Sequence, residues 1–208
     1  MMTLYGRRGW GSVLIEAQLA YYDLPFRFEE VDDLFTSASA RKALARINPL
    51  AQVPTLLLDD GRVLTESAAI TLHLADLTGR DDLVPGADAP ERAAFLRWLV
   101  FLVTNLYPTF TYADEPTRFV ADATAAKAFR ARVDDYAQSL WRMVEHAAAA
   151  PWFLGERRSA LDLYIGVMTR WRPRRPWFLA EAPKLHAIAQ AIDAEPAFAG
   201  TLARNFAE

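Results

Sequence analysis

The hydrophobic pattern of this 208-residue chain changes period once, and that change limits the fold more than any other feature. Over residues 1–78 short segments alternate in type. Thr3-Leu4-Tyr5 is expected as a strand, followed by a loop, Gly6 to Gly11, that carries three glycines. Ser12 is a suitable cap for a helix over Val13 to Ala20, which Asp23-Leu24-Pro25 breaks. Phe26 to Val31 alternates apolar and polar residues as a half-buried strand does. A helix over Ala38 to Ile47 is ended by Asn48-Pro49. Thr55 to Leu58, Asp59-Asp60-Gly61 and Arg62 to Leu64 read as a strand, a turn and a strand. Thr65-Glu66-Ser67 opens a helix over Ala68 to Leu77. Residues 79–89 shift to Pro, Gly, Ala and Asp, the composition of a linker. From residue 90 to 208 the apolar positions recur at helical spacing. One helix is expected over Glu91 to Tyr107, stopped or kinked by Pro108. Phe129, Val133, Tyr136, Leu140 and Val144 mark the stripe of a second. Ser159-Ala160-Leu161-Asp162 is a capping signature ahead of Leu163 to Met168. Pro183 to Ile192 and Ala197 to Phe206 complete the set. The expected class is therefore α+β over the first third and all-α beyond it.

Composition removes several functions. Hydrophobic residues make up 52% of the chain, enough for a sizeable core. The net charge of −3 gives no general attraction to nucleic acid or to an anionic membrane. There is no cysteine, which excludes disulfides, thiolate-ligated zinc and any mechanism using a protein thiol. The three histidines, His73, His146 and His186, have no metal-ligand spacing, so no metal is expected. The first residues lack the apolar run of a signal peptide. Phe95 to Val103, the most apolar stretch, falls short of the ~20 residues of a spanning helix. A cytoplasmic protein is expected.

Three segments carry a resemblance. Asn48-Pro49-Leu50-Ala51-Gln52-Val53-Pro54-Thr55-Leu56, then Thr65-Glu66-Ser67-Ala68-Ala69-Ile70, then Phe153-Leu154-Gly155-Glu156-Arg157-Arg158-Ser159-Ala160-Leu161-Asp162 resemble, in order and spacing, the signatures of glutathione transferases. The resemblance implies a thioredoxin-like glutathione-binding domain at 1–78, a linker at 79–89, and an all-helical domain at 90–208 that contributes the second-substrate pocket. It implies glutathione as a substrate, no metal, attack of its thiolate on a small hydrophobic electrophile, and a homodimer. A non-catalytic carrier of glutathione or hydrophobic ligands, or an interaction module of the same fold, is the alternative.

The site residues follow from the resemblance and from what each group can do. A cis Val53-Pro54 bond would turn the chain and leave the Val53 backbone groups free to pair with an extended peptide. Glu66 and Ser67, at a helix N-terminus, suit the ammonium and carboxylate of a γ-glutamyl group. Gln52 stands where many members carry a cation toward the glycyl carboxylate, a role open to Arg41 or Lys42. For the sulfur, Ser12 is the nearest hydroxyl, and capping the helix is its competing role. Tyr5, Arg7, Arg8, the Trp10 indole and the backbone N–H groups of Gly11 and Ser12 are the other candidates. Trp10, Asn105, Tyr107, Tyr112 and Trp171 are expected to line the second-substrate pocket. Arg170 to Trp177 interleaves arginines with tryptophans and reads as a solvated helix end, with Trp171 and Arg172 alternatively bordering that pocket.

Overall fold

The structure is a computed structural model that describes residues 1–206. It divides into two compact units, Met1–Asp81 together with residues from Asp193 onward, and Asp82–Ile192. Whereas the linker reading divides the chain once, the first unit here takes back the end of the chain.

In the first unit, four strands form one sheet: β1 (Met2–Gly6), β2 (Phe26–Glu30), β3 (Thr55–Leu57) and β4 (Val63–Leu64), in the order β2-β1-β3-β4. β1 runs parallel to β2 and antiparallel to β3, and β3 and β4 form the hairpin. The parallel pair needs a crossover, which α1 (Val13–Tyr21) supplies. Residues Val13 to Leu19 are all buried, Glu16 and Gln18 included, so α1 is enclosed on every side. It packs against α3 (Ser67–Thr78), where the Gln18 amide donates to Thr71 Oγ1 at 3.0 Å. It also packs against the last helix, α10 (Pro196–Phe206). The short α2 (Ala38–Leu44) is capped by Ser37, whose hydroxyl accepts from the Ala40 N–H.

The second unit holds α4 (Arg92–Phe101), α5 (Tyr107–Asp114), α6 (Ala123–Ala147), α7 (Ala160–Met168), α8 (Arg175–Glu181) and α9 (Pro183–Ala194). The expected break at Pro108 does not occur. Leu102–Leu106 widens into a π-helical turn and joins α4 to α5, with Pro108 inside the first turn of α5. There a proline has no N–H to waste, so the helical path continues. Arg92–Asp114 thus forms 23 helical residues, long and apolar enough by length and composition to cross a membrane, more than the apolar stretch alone suggests. Phe95, Trp98, Leu99, Leu102, Leu106 and Phe110 are buried along it at steps of three and four, the pattern of a core helix. The buried face of α6 also differs from the expected stripe. Trp141 is fully buried, whereas Tyr136 is 54% exposed.

The start of α7 is a complete capping box. Ser159 Oγ accepts from the Leu161 N–H, and Asp162 Oδ2 accepts from the Ser159 N–H at 2.8 Å. Asp162 Oδ1 accepts from the Phe153 N–H at 2.7 Å, which ties the preceding loop to the helix. Burial pushes the Asp162 carboxyl up to about 6, against the opposing effect of these hydrogen bonds. Because the folded value lies above the unfolded one, the fold favours the protonated acid. Its contribution is full below the ordinary carboxylate value of 3.8 and is lost as pH rises through about 6. Wild type should therefore lose about 2–3 kcal/mol relative to Asp162→Asn between about pH 4 and about pH 7, read from paired denaturation curves. Ser159→Ala should cost about 1 kcal/mol in the same measurement.

Candidate functional site

The loop between β1 and α1 is built around Ser12. Its hydroxyl donates to the Arg7 carbonyl at 3.0 Å, and its oxygen accepts from the Arg7 N–H at 3.0 Å. The side chain is fully buried, and a Cβ on Gly6 would lie 2.6 Å from Ser12 Oγ and 2.8 Å from the Phe28 ring. Ser12 does not cap α1, because its backbone is already helical and its side chain bonds backward to Arg7. This corrects both expectations for Ser12: the side chain is not the helix cap, and its proton is committed to a carbonyl. The hydroxyl is thus a structural clamp, not a ready donor to sulfur.

Two backbone donors remain beside it. Val13, Leu14, Ile15 and Glu16 already donate their N–H groups to carbonyls of Trp10, Gly11 and Ser12. Among the described residues, the Gly11 and Ser12 N–H groups, at the start of α1, donate to nothing. The side chains around them are mostly engaged. Arg7 pairs with Asp32 at 3.5 Å and Asp33 at 3.7 Å and donates to the Val31 carbonyl. Its guanidinium also lies 5.5 Å from the centre of the Trp10 ring. Trp10 stacks on Phe35 at 4.8 Å, and both Trp10 and Tyr5 pack against Val31, Leu34 and Leu44. Tyr5 therefore contributes an apolar body to the core beneath the loop. Arg8 is exposed and reaches Glu30 at 3.7 Å.

A second constellation precedes β3. The Val53-Pro54 peptide bond is cis, as expected from the sequence. Among the described residues, the backbone N–H and C=O of half-buried Val53 make no hydrogen bond to the chain. The segment is held from beneath by buried Asn48. Its amide donates to the Gln52 carbonyl at 3.1 Å and to Thr55 Oγ1 at 3.0 Å, and Thr55 Oγ1 donates to the Gln52 carbonyl at 2.7 Å. Its Oδ1 accepts from the Leu50 N–H. Ala51 takes a positive φ of 49° in this turn, a conformation that favours glycine. The Gln52 side chain is exposed, as are Arg41 and Lys42 on α2.

The third piece is the start of α3. Glu66 precedes the helix with φ 63° and is exposed, and its carbonyl accepts from the Ile70 N–H. Ser67 is the first helical residue and 8% exposed. Among the described residues its hydroxyl bonds to nothing, and neither do the N–H groups of Ser67, Ala68 and Ala69. Unpaired amides and the helix dipole together favour an anion there.

In the helical unit the expected pocket residues separate. Tyr107 and Trp171 meet edge to face at 5.7 Å, and Phe110, not anticipated from the sequence, packs on Trp171 at 5.2 Å. Burial raises the pKa of the Tyr107 hydroxyl, Tyr164 and Asp114 adding to the shift, so it stays a neutral donor. Tyr112 belongs to a different aromatic group, 4.9 Å from Phe119. The Asn105 amide donates to Thr104 Oγ1 in the π-helical turn. The arginine-rich stretch is not a solvated end. Arg172 donates to Asp114 at 2.6 Å and Asp134 at 3.1 Å, and Arg175 donates to the Gly166 carbonyl near the end of α7. Burial opposes the Arg172 charge, but the two carboxylates outweigh it and raise its pKa. A cavity of about 230 Å³ lies beside it, walled by Phe110, Ala137, Gln138 and Arg174.

This architecture is known. A family model described as the glutathione S-transferase N-terminal domain matches residues 15–77. An uncharacterized GST-like protein of Escherichia coli K12, YncG, is 38% identical over 206 residues, covering 99% of this chain and 98% of that protein. The chain belongs to the glutathione S-transferase family. Its thioredoxin-like sheet and helical region match solved members. A Sulfitobacter glutathione transferase homologue with bound glutathione superposes with a TM-score of 0.83, at 24% identity over 96% of each chain. A sphingomonad glutathione S-transferase complexed with glutathione gives 0.74, at 26% identity over 96% of each chain.

Ser12→Ala tests the clamp. Losing both bonds leaves the part-buried Arg7 N–H unpaired while its carbonyl keeps the Trp10 N–H, so the unfolding free energy should fall by about 1–3 kcal/mol in urea denaturation. Gly6→Ala, which drives a methyl into Ser12 and Phe28, should be at least as damaging.

Proposed function

We propose that this protein binds glutathione on its thioredoxin-like unit and holds the sulfur as a thiolate for attack on a small hydrophobic electrophile. The observation that carries this reading is the pair of helix starts, at α1 and α3, whose first amides have no partner among the described residues. In this reading the Val53 backbone pairs with the cysteinyl unit. The α3 start and the Ser67 hydroxyl receive the γ-glutamyl carboxylate, and Glu66 receives its ammonium. Gln52 donates one neutral hydrogen bond to the glycyl carboxylate, with Arg41 or Lys42 supplying charge. The sulfur is placed at the Gly11 and Ser12 N–H groups, in the field of Arg7. Hydrogen bonds to a charged acceptor contribute about 1.5–3 kcal/mol each, and each pKa unit corresponds to about 1.36 kcal/mol. Two such donors therefore suffice to bring a thiol from about 8.5 to below neutrality. The thiolate then forms a C–S bond to an electrophilic carbon, either as a leaving group departs with the electron pair of its bond to that carbon or as the pair of an activated double bond shifts to the neighbouring atom and is protonated by water. The glutathione-bound relatives support the first half of this reading.

A non-catalytic glutathione carrier is the second reading, favoured by one observation: the Ser12 proton is committed to Arg7. Calorimetry with glutathione and thiolate absorbance near neutral pH separate the two. Saturable heat with a thiolate band supports the enzyme; heat without the band supports the carrier; no heat overturns both. Ser67→Ala should weaken glutathione binding about tenfold, or ~1.4 kcal/mol. We extend the proposal to a cytoplasmic homodimer, supported by the exposed apolar side chains of Val63 and Leu77 in the first unit, and sedimentation velocity checks the assembly.

A further inference from the structure

The last helix reaches into the loop on which the proposed chemistry depends. Asn205, on the final turn of α10, accepts from the Gly9 N–H through Oδ1 at 3.1 Å. Its Nδ2 donates to Glu16 Oε2 at 2.8 Å and to the Thr201 carbonyl at 3.0 Å. This partner set fixes the amide's orientation, because the flipped side chain would turn a donor toward an N–H and an acceptor toward a carboxylate. Glu16, on α1, is only 5% exposed, and its Oε1 accepts from Arg204 Nη2 at 2.9 Å and Nε at 3.2 Å. α10 is thus tied to α1 by a carboxylate and to the loop before α1 by one neutral amide.

The tie falls at the residue where the loop turns. Gly9 has a positive φ of 73°, and a Cβ there would lie 3.5 Å from the Asn205 carbonyl oxygen. The turn is closed on one side by the Trp10 N–H to the Arg7 carbonyl and on the other by the Ser12–Arg7 clamp. The Asn205 side chain holds Gly9 from outside the loop. The Gly11 and Ser12 amides lie two and three residues further on, so their direction follows from how Gly9 is held.

We propose that Asn205 is a positioning residue for the thiolate. By fixing Gly9, it aims the Gly11 and Ser12 N–H groups at the glutathione sulfur, without touching the sulfur itself. This rests on the reading that glutathione binds here and that these amides serve its sulfur. The geometry requires an uncharged side chain with both a donor and an acceptor, because the position faces a carboxylate and an N–H at once. Asparagine meets both; aspartate would set a second carboxylate against Glu16.

The experiment compares wild type, Asn205→Ala and Ser159→Ala at saturating glutathione. Ser159→Ala weakens the helical unit and so controls for lost stability alone. Well below the wild-type midpoint, the thiolate absorbance should fall about tenfold in Asn205→Ala, corresponding to one pKa unit, and stay within twofold of wild type in Ser159→Ala. The glutathione dissociation constant should change less than threefold in Asn205→Ala, which separates sulfur positioning from binding of the peptide. A wild-type thiolate band that Asn205→Ala leaves intact overturns the positioning role and spares the glutathione reading. Absence of the band in wild type overturns the reading and the role with it. Amide hydrogen exchange on the wild type needs no variant to fold: Gly9 should be protected relative to Arg8, and equal exchange at the two amides overturns the proposal.

Discussion

The first unit depends on a hydroxyl that points backward. Ser12 gives its proton to the Arg7 carbonyl and takes the Arg7 N–H in return, closing a tight loop over Gly6. The part-buried Arg7 N–H would otherwise lack a partner, at a cost of about 1–3 kcal/mol, while the carbonyl also accepts from the Trp10 N–H. The space exists because residue 6 has no side chain. The loop can then rise from the sheet end and deliver the chain into α1 with a helical Ser12. Had Ser12 capped α1 in the usual way, its oxygen would face the helix amides and fill the position left for an incoming acceptor. Turning it backward keeps the Gly11 and Ser12 amides available.

The same logic recurs at the other two pieces of the site. Asn48 takes up the Gln52 carbonyl from below, and the Val53 backbone has no partner among the described residues. α3 begins without a side-chain cap, and among the described residues its first amides and the Ser67 hydroxyl are unpaired. In each case a polar side chain supports the backbone from the protein side, or a cap is omitted. Unsatisfied amides lower stability, and on the proposed reading these three places are where a ligand would take up the unpaired groups.

Much of this was legible in the chain. The element order, the hairpin at Asp59-Asp60-Gly61 and the capping box at Ser159 come from local pattern and turn chemistry, and the structure has them. The cis Val53-Pro54 bond was readable because the segment that carries it is local. What was not readable depends on groups distant in sequence. Whether Ser12 bonds forward or backward is decided by the Phe28 ring and the room at Gly6. Pro108 reads as a helix stop until the π-helical turn before it relieves the clash. Trp141 and Tyr136 differ by five positions and both suit an apolar stripe; tertiary packing chooses the first. Asn205 meets Gly9 across 196 residues, and no periodicity or motif connects them.

Using backbone amides instead of a hydroxyl has a consequence for how such a site responds to pH. A tyrosine or serine donor can itself ionise or exchange its proton with the sulfur, so donor and acceptor titrate as a coupled pair. A peptide N–H does not titrate in the accessible range, and its direction is set by the fold. The only titrating group at the sulfur would then be the thiol itself, modulated by Arg7, whose charge is constant. Asp32 and Asp33 hold Arg7 in place. Stabilisation of the sulfur would rise through one ionisation and then stay level up to the pH at which the fold itself is lost. On the proposed reading, what positions the sulfur is the loop's backbone, which Ser12 and Asn205 hold through their hydrogen bonds.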